Sequence, residues 1–286
     1  MKWVRRSPEE GINVTPASPF RDAVQMLVGL VVLVVGGAGA LVAMAELLVP
    51  LIPVSAELRI FGSFSQVLDK ALEDQLGAET RPPSDELQDI MDRLGRHWPD
   101  HGYDFQVTVL EMDDLNAFAI PGGRILVTSG LLAGATSENE VAMVLGHELG
   151  HFHHRDHLRG LGRALAIGTI MAMVSGRGLG GDQAFNFSAQ LASRSFDRDQ
   201  ESAADRFGLS LLQAEYGHIG GAADFFKRLA QSEEDDGAGA FSLYLGTHPQ
   251  PEGRVDALMD EAASRGFGTT GVLVPYALSN GRSAPR

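Results

Sequence analysis

The chain has 286 residues, 44% of them apolar and 21% charged, which is enough for one globular domain with appendages and too apolar for global disorder. It carries 23 lysines and arginines against 37 aspartates and glutamates, and the formal charge of -14 excludes nucleic-acid binding as a primary function. The absence of cysteine excludes disulfides and thiolate ligands, so any metal has to be held by His, Asp or Glu.

A polar segment, residues 1–22, opens the chain. It is followed by an uncharged run from Ala23 to Ala45, bounded by Asp22 and Glu46. As a helix this run would be about 35 Å long, slightly more than the roughly 30 Å hydrocarbon core of a bilayer. Residues 23–46 therefore read as a transmembrane anchor. The competing reading is a signal peptide cleaved near the small-x-small pattern Ala43-Met44-Ala45. Lys2, Arg5, Arg6 and Arg21 precede the run and only Arg59 lies close behind it, so the positive charge places the N-terminus in the cytoplasm and the rest across the membrane.

Residues 47–268 read as one domain. From Ser55 to about Gly77, the spacing of Leu58, Phe61, Phe64, Val67, Leu68 and Leu72 predicts a helix. Arg81-Pro82-Pro83 marks a break, after which Ser84 caps an amphipathic helix carrying Leu87, Ile90, Met91 and Leu94. Alternation and β-branched content predict strands over Phe105 to Glu111, Asn116 to Ile120 and Arg124 to Ser129, with a turn at Pro121-Gly122-Gly123, together forming a small antiparallel sheet.

From Ser137 the pattern is helical almost to Arg265, with glycine-rich breaks near Gly176 to Gly181 and Gly237 to Gly239. The uncharged stretch Ala164 to Gly176 is too short to cross a membrane, and the run Leu161 to Gly176 is assigned to a buried or lid-like helix. Residues 269–286, with scattered Pro, Gly, Ser and Asn, are expected to be poorly ordered. The fold class expected is α+β: one membrane helix, then mostly helices around a small antiparallel sheet.

The chemistry concentrates in the long helical part. Ser137 and Glu140 have the spacing of a capping box, and the helix they open brings His147 and His151, four residues apart, onto one face. Two neutral imidazoles so placed can bind one zinc ion, with Glu148 positioned as general base for a water at the open coordination site. A third ligand is required, and Glu201 is the candidate. Asp205, one turn further on, would orient a histidine through its other ring nitrogen. His153, His154 and His157 follow too closely for all of them to reach the same ion, and are read as surface or helix-end residues. No G-x-G-x-x-G, Walker lysine, G-x-S-x-G elbow or cysteine nucleophile is present.

In order along the chain stand Asn116-Ala117-Phe118-Ala119-Ile120-Pro121-Gly122-Gly123, Val127-Thr128-Ser129-Gly130-Leu131, His147-Glu148-Leu149-Gly150-His151 and Glu201-x-x-x-Asp205. The ordered set resembles the gluzincin metallopeptidases typified by the HtpX heat-shock membrane protease, the periplasmic protease BepA and the CAAX prenyl proteases. The resemblance runs from about Asn116 to Arg254 and implies a zincin-like domain with one Zn2+ per chain, held by His147, His151 and Glu201. It further implies that His248, in Thr247-His248-Pro249, acts in catalysis near the zinc as a stabiliser of the oxyanion, and that Arg254 lies beside the site. HtpX and the CAAX prenyl proteases have several membrane spans where this chain shows one.

The expected activity is cleavage of peptide bonds by Glu148-assisted attack of water, on damaged or misfolded envelope proteins. Asn116, Ala117, Phe118 and Ala119 would pair with an extended polypeptide. The rival readings are a chaperone-like protein that holds clients without cutting them and a zinc-stabilised structural domain. The retained Glu148 and the set of only three ligands argue against both. The expected location is the bacterial inner membrane with the catalytic domain periplasmic, a mitochondrial membrane being the alternative.

Overall fold

The computed structural model describes residues 18–62, 77–175, 196–236, 248 and 253–276. Helix α1, Pro19–Leu48, runs without a break through the uncharged segment and is the only helix among the described residues long and apolar enough to cross a membrane. Pro50 lacks the amide a continuing helix needs, and a 3-10 turn at Val49–Leu51 leads into α2, Val54–Gly62. In α2, Leu58 packs on the main core and Phe61 on a small cluster of Val49, Leu158 and Leu161. Residues 63–76 of the helix expected to Gly77 lie outside the described residues, as do both glycine-rich breaks, Thr247 and Pro249.

Four strands form one sheet: β1 (Thr80–Arg81), β2 (Gln106–Leu110), β3 (Ala117–Ile120) and β4 (Arg124–Thr128), in the order β1-β2-β4-β3. The sheet is mixed, a correction to the wholly antiparallel one expected. β3 and β4 form a hairpin over Gly122 and Gly123, whose φ of 99° and 83° suit glycine, but β2 pairs with β4 in parallel. The cause is the 111–116 connection. It steps past the end of β4, where Met112 O accepts from Gly130 N and Ser129 Oγ, and Thr128 Oγ1 donates to Asp114 O. The chain thus reaches β3 on the far side of β4, and β3 becomes the edge strand. β1 forms where the sequence suggested only a break.

Helix α3, Asp85–Arg96, is capped as expected, with Ser84 Oγ accepting from Leu87 N. Its buried Leu87, Ile90, Met91 and Leu94 join Val107, Val109, Ile125 and Val127 of the sheet in the main core. The helical part continues with α4 (Ser129–Gly134), α5 (Glu138–His153), α6 (Asp156–Ser175), α7 (Arg198–Tyr216), α8 (Asp224–Asp236) and α9 (Arg254–Ser264). α5 is buried along nearly its whole length between the sheet, α3 and α7.

In the segment 269–276, read as the start of a poorly ordered tail, Val272 meets His218 and Val274 and Pro275 lie at the N-terminus of α5. Val274 N donates to Asn139 Oδ1, Glu138 N donates to Val274 O, and Pro275 forms a β-bridge with Ser137. The backbone groups at the start of α5 supply partners that a polar, glycine-containing composition did not reveal.

Candidate metal centre

The helix that carries the site is fixed at its N-terminus. Ser137 Oγ accepts from Glu140 N at 3.2 Å, while Glu140 reaches back to Thr136 N rather than to Ser137 and pairs with Arg228 at 2.5 Å. One turn apart on α5, His147 and His151 face α7, and the two helices come unusually close. A Cβ on Gly150 would stand 2.6 Å from Ala204 Cα, and one on Gly146 would stand 3.1 Å from Gly208 Cα. These small residues let the backbones approach until Glu201, in the first turn of α7, reaches both imidazoles.

His147 Nε2 and His151 Nε2 lie 3.1 Å apart. Glu201 places Oε2 3.5 Å from His147 Nε2 and Oε1 3.5 Å from His151 Nε2. His248 brings its Nδ1 to 2.9 Å from Glu201 Oε1 and 3.3 Å from His147 Nε2. The ligand atoms of His147, His151, Glu201 and His248 all fall within 4.8 Å of one another, and all four residues are buried. Three imidazole nitrogens and a carboxylate converging on one point fit a divalent cation of the zinc class, which takes nitrogen and oxygen donors in tetrahedral array.

The other ring nitrogens are held from behind. Asp205 Oδ1 is 2.8 Å from His147 Nδ1, and Arg254 grips Asp205 through Nε at 2.9 Å and Nη2 at 2.7 Å. Arg254 also places Nη1 3.0 Å from Glu201 Oε2 and lies over the Phe226 ring. Asp156 Oδ2 is 3.1 Å from His151 Nδ1, and Gln200 donates to Asp156 Oδ1 at 2.7 Å. Gln200 belongs to the capping box with which Asp197 starts α7, so the cap of one helix steadies the partner of a histidine on another. Phe196 stacks on His151 with centroids 3.9 Å apart.

Burial pushes the His147 imidazole below its ordinary 6.5, although Glu201 and Asp205 oppose that shift. Burial acts against charge on His151 too, but its hydrogen bonds to Asp156 and Glu201 and the charges of Glu201 and Glu148 raise it to about 10. The Glu201 carboxyl is likewise disfavoured as an anion by burial, yet the positive fields of His248 and His147 and the hydrogen bonds from His151 and His248 hold it well below 4.5. A cation binding here displaces protons from the imidazoles. Glu148 is buried next to the cluster, with Oε1 3.7 Å from His248 Nε2 and Oε2 without a hydrogen-bond partner among the described residues.

The sequence-predicted residues His147, Glu148, His151, Glu201, Asp205, His248 and Arg254 are thus brought together. Asn116, Ala117, Phe118 and Ala119 are buried at and beside the edge strand β3, which packs against α5, the helix that carries His147 and His151. Asn116 Oδ1 accepts from Ala117 N at 2.8 Å, and its Nδ2 has no partner among the described residues.

His157, expected at the surface or at a helix end, stands at a helix end but is buried. Arg155 adopts φ 61°, which ends α5, and α6 starts afresh with His157 turned inward to 2.9 Å from Glu57 of α2. Glu57 also accepts from Tyr103 Oη at 2.7 Å and from Gly122 N at 2.9 Å. Asp156, Gln200, Phe196 and Glu57 escaped the sequence reading. Of these, Asp156, five residues after His151 and just past a histidine run, left a trace in the spacing for a reader who expects a helix break there.

The model of peptidase family M48 matches residues 82–262. The metalloprotease LoiP of Escherichia coli is 31% identical over 63% of this chain and 71% of its own length. The mitochondrial metalloendopeptidase OMA1 of Arabidopsis thaliana is 30% identical over 65% of this chain, and a putative β-barrel assembly-enhancing protease of Vibrio cholerae is 29% identical over 59%. The chain spans little more than a third of these last two relatives, 36% and 38% of their lengths.

Proposed function

The chain belongs to peptidase family M48 and is a metalloendopeptidase, and from that premise we propose that it is a zinc enzyme acting through His147, His151 and Glu201 as ligands and Glu148 as general base. The observation that carries this reading is the convergence of ligand atoms from α5 and α7 beside a buried carboxylate oxygen that has no hydrogen-bond partner among the described residues. Zinc bound there supplies a Lewis acid that polarises the scissile carbonyl and makes water more acidic.

Glu148 takes the proton from the attacking water and passes it to the leaving amine, a task for which a buried carboxylate facing the reaction is suited. His248 donates from Nε2 to the negative charge developing on the carbonyl oxygen. Asp205, held by Arg254, and Asp156, held by Gln200, fix the two ligand imidazoles. The edge strand β3 offers its outer side to an extended polypeptide, and this backbone pairing suits damaged or misfolded envelope proteins as substrates because it reads little sequence.

We read residues 23–46 as the membrane anchor, residues 1–22 as cytoplasmic, residues 47–268 as the peptidase domain and residues 269–286 as a tail. The catalytic side then faces the periplasm of a bacterial inner membrane. The test is zinc content and casein cleavage by the full chain in detergent, compared with Glu148→Gln. One zinc per chain in both proteins, with cleavage about 10²–10⁴-fold lower in the variant, supports the reading. Bound zinc without cleavage by the unmodified chain points to a client-holding protein instead, and lack of zinc overturns the centre itself.

A further inference from the structure

We propose that the apolar half of α6 enters the bilayer beside α1, so that the peptidase domain is held in the membrane by a helical hairpin and not by one span alone. This rests on the reading of α1 as a membrane anchor. The two helices run antiparallel. Val49 clusters with Leu158 and Leu161, whereas Glu46 pairs with Arg163 at 2.6 Å and with Arg159 at 3.5 Å, so moving forward along α6 means moving back along α1.

The covered face of α1 gives the depth. Val34, Ala38, Leu41, Val42 and Glu46 are half-buried at helical spacing, while Val31, Val32, Leu33, Val35 and Met44 remain exposed. Besides the 3-10 turn, α6 is the described element that packs along α1. From Glu46 back to Val34 is about 18 Å at 1.5 Å per residue, a little over half of a roughly 30 Å hydrocarbon core. Arg163 to Ser175 covers the same about 18 Å.

Charge marks the membrane boundary on both helices. Glu46, Arg159 and Arg163 form one ion-paired group, and beyond it neither the remaining α6, Ala164 to Ser175, nor α1 back to Ala23 contains a charged residue. Leu165, the second residue past the group, is 52% exposed, which is costly in water and favourable in lipid. The uncharged stretch is too short to cross a bilayer, but that length excludes crossing and not entry. Asp156, the partner of His151, then stands one to two helical turns from the membrane surface.

The lack of cysteine makes the test direct, because each introduced thiol is unique. Full-length protein carrying Leu165→Cys, Val174→Cys, Leu33→Cys in α1 or Asp260→Cys on the exposed side of α9 is labelled with an environment-sensitive fluorophore. The labelled proteins are reconstituted into phosphatidylcholine vesicles containing lipids brominated on their acyl chains. Quenching at Leu165 and Val174 comparable to Leu33 and at least about 3-fold stronger than at Asp260 is expected for entry into the hydrocarbon. Quenching at Leu33 with Val174 no different from Asp260 overturns the hairpin and leaves the anchor standing. Absence of quenching at Leu33 overturns the anchor reading, and the hairpin with it.

Discussion

At His248 two roles place opposite demands on one imidazole. As a ligand it would turn the Nδ1 lone pair, 3.3 Å from His147 Nε2, toward the cation and close a four-residue site. As a donor it would leave three protein ligands and present its Nε2 side, which faces Glu148. The donor role predicts that His248→Ala keeps one zinc per chain and lowers kcat about 10²–10³-fold. Loss of zinc along with activity would assign His248 to the ligands. Asp156 acts through His151, and Asp156→Asn is expected to weaken zinc binding roughly 10–100-fold in a chelator competition. Unchanged zinc affinity in that variant would reduce the contact to packing. Of these residues His147, Glu148, His151 and Glu201 were legible as a pattern because a helix converts fixed spacing into a shared face. Asp156 was not, because its position depends on Arg155 leaving the helical conformation.

The pairing of α5 with α7 is what turns two motifs into one site. Gly146 and Gly150 on one helix meet Ala204 and Gly208 on the other, and no side chain larger than a methyl separates the backbones there. Gly150→Ala drives a methyl into the Ala204 backbone, and overpacking of this kind costs about 1–3 kcal/mol. The expected outcome is a lowered Tm together with weaker zinc binding, since Glu201 can only reach both histidines at the present separation. A Tm loss with unchanged zinc affinity would show that the helices separate elsewhere than at the site. The sheet shows the limit of reading elements alone. Alternation located β2, β3 and β4 within a residue or two, but a one-dimensional pattern does not say on which side of β4 the chain will arrive, and that set both the parallel pair and the edge position of β3.

Across the whole molecule, Glu57 ties the helix after the anchor to the β3–β4 turn through Gly122 and to the corner between α5 and α6 through His157. Burial alone would raise its carboxyl, but the hydrogen bond and charge of His157, with the Gly122 amide and Tyr103 hydroxyl, hold it below its ordinary 4.5. A carboxyl with a depressed folded value stabilises the fold above its unfolded value, and that contribution is lost as the pH falls below about 4.5 toward the folded value. Glu57→Gln is therefore expected to lower Tm at neutral pH, with a cost of about 1–3 kcal/mol for the altered buried network. The gap to the unmodified protein should narrow below pH 4.5. A gap independent of pH would mean that Glu57 contributes by shape and not by charge.

The sequence by itself determined what local periodicity and composition encode: the apolar α1, the capped α3, the helix that aligns His147 with His151, the one-turn spacing of Glu201 and Asp205, and the exclusion of thiol chemistry. These depend on neighbours within a few residues, where 3.6 residues per turn suffices to place side chains. Only the tertiary structure decided the mixed sheet, the inward turn of His157, the service of Asp156 and Gln200 behind His151, the place of His248 among the ligand atoms, and the pairing of Val274 and Pro275 with the start of α5. Each of those joins residues from separate elements, and which separated residues meet is set by how small side chains, buried charges and strand order let whole elements pack, a property no short stretch of chain carries.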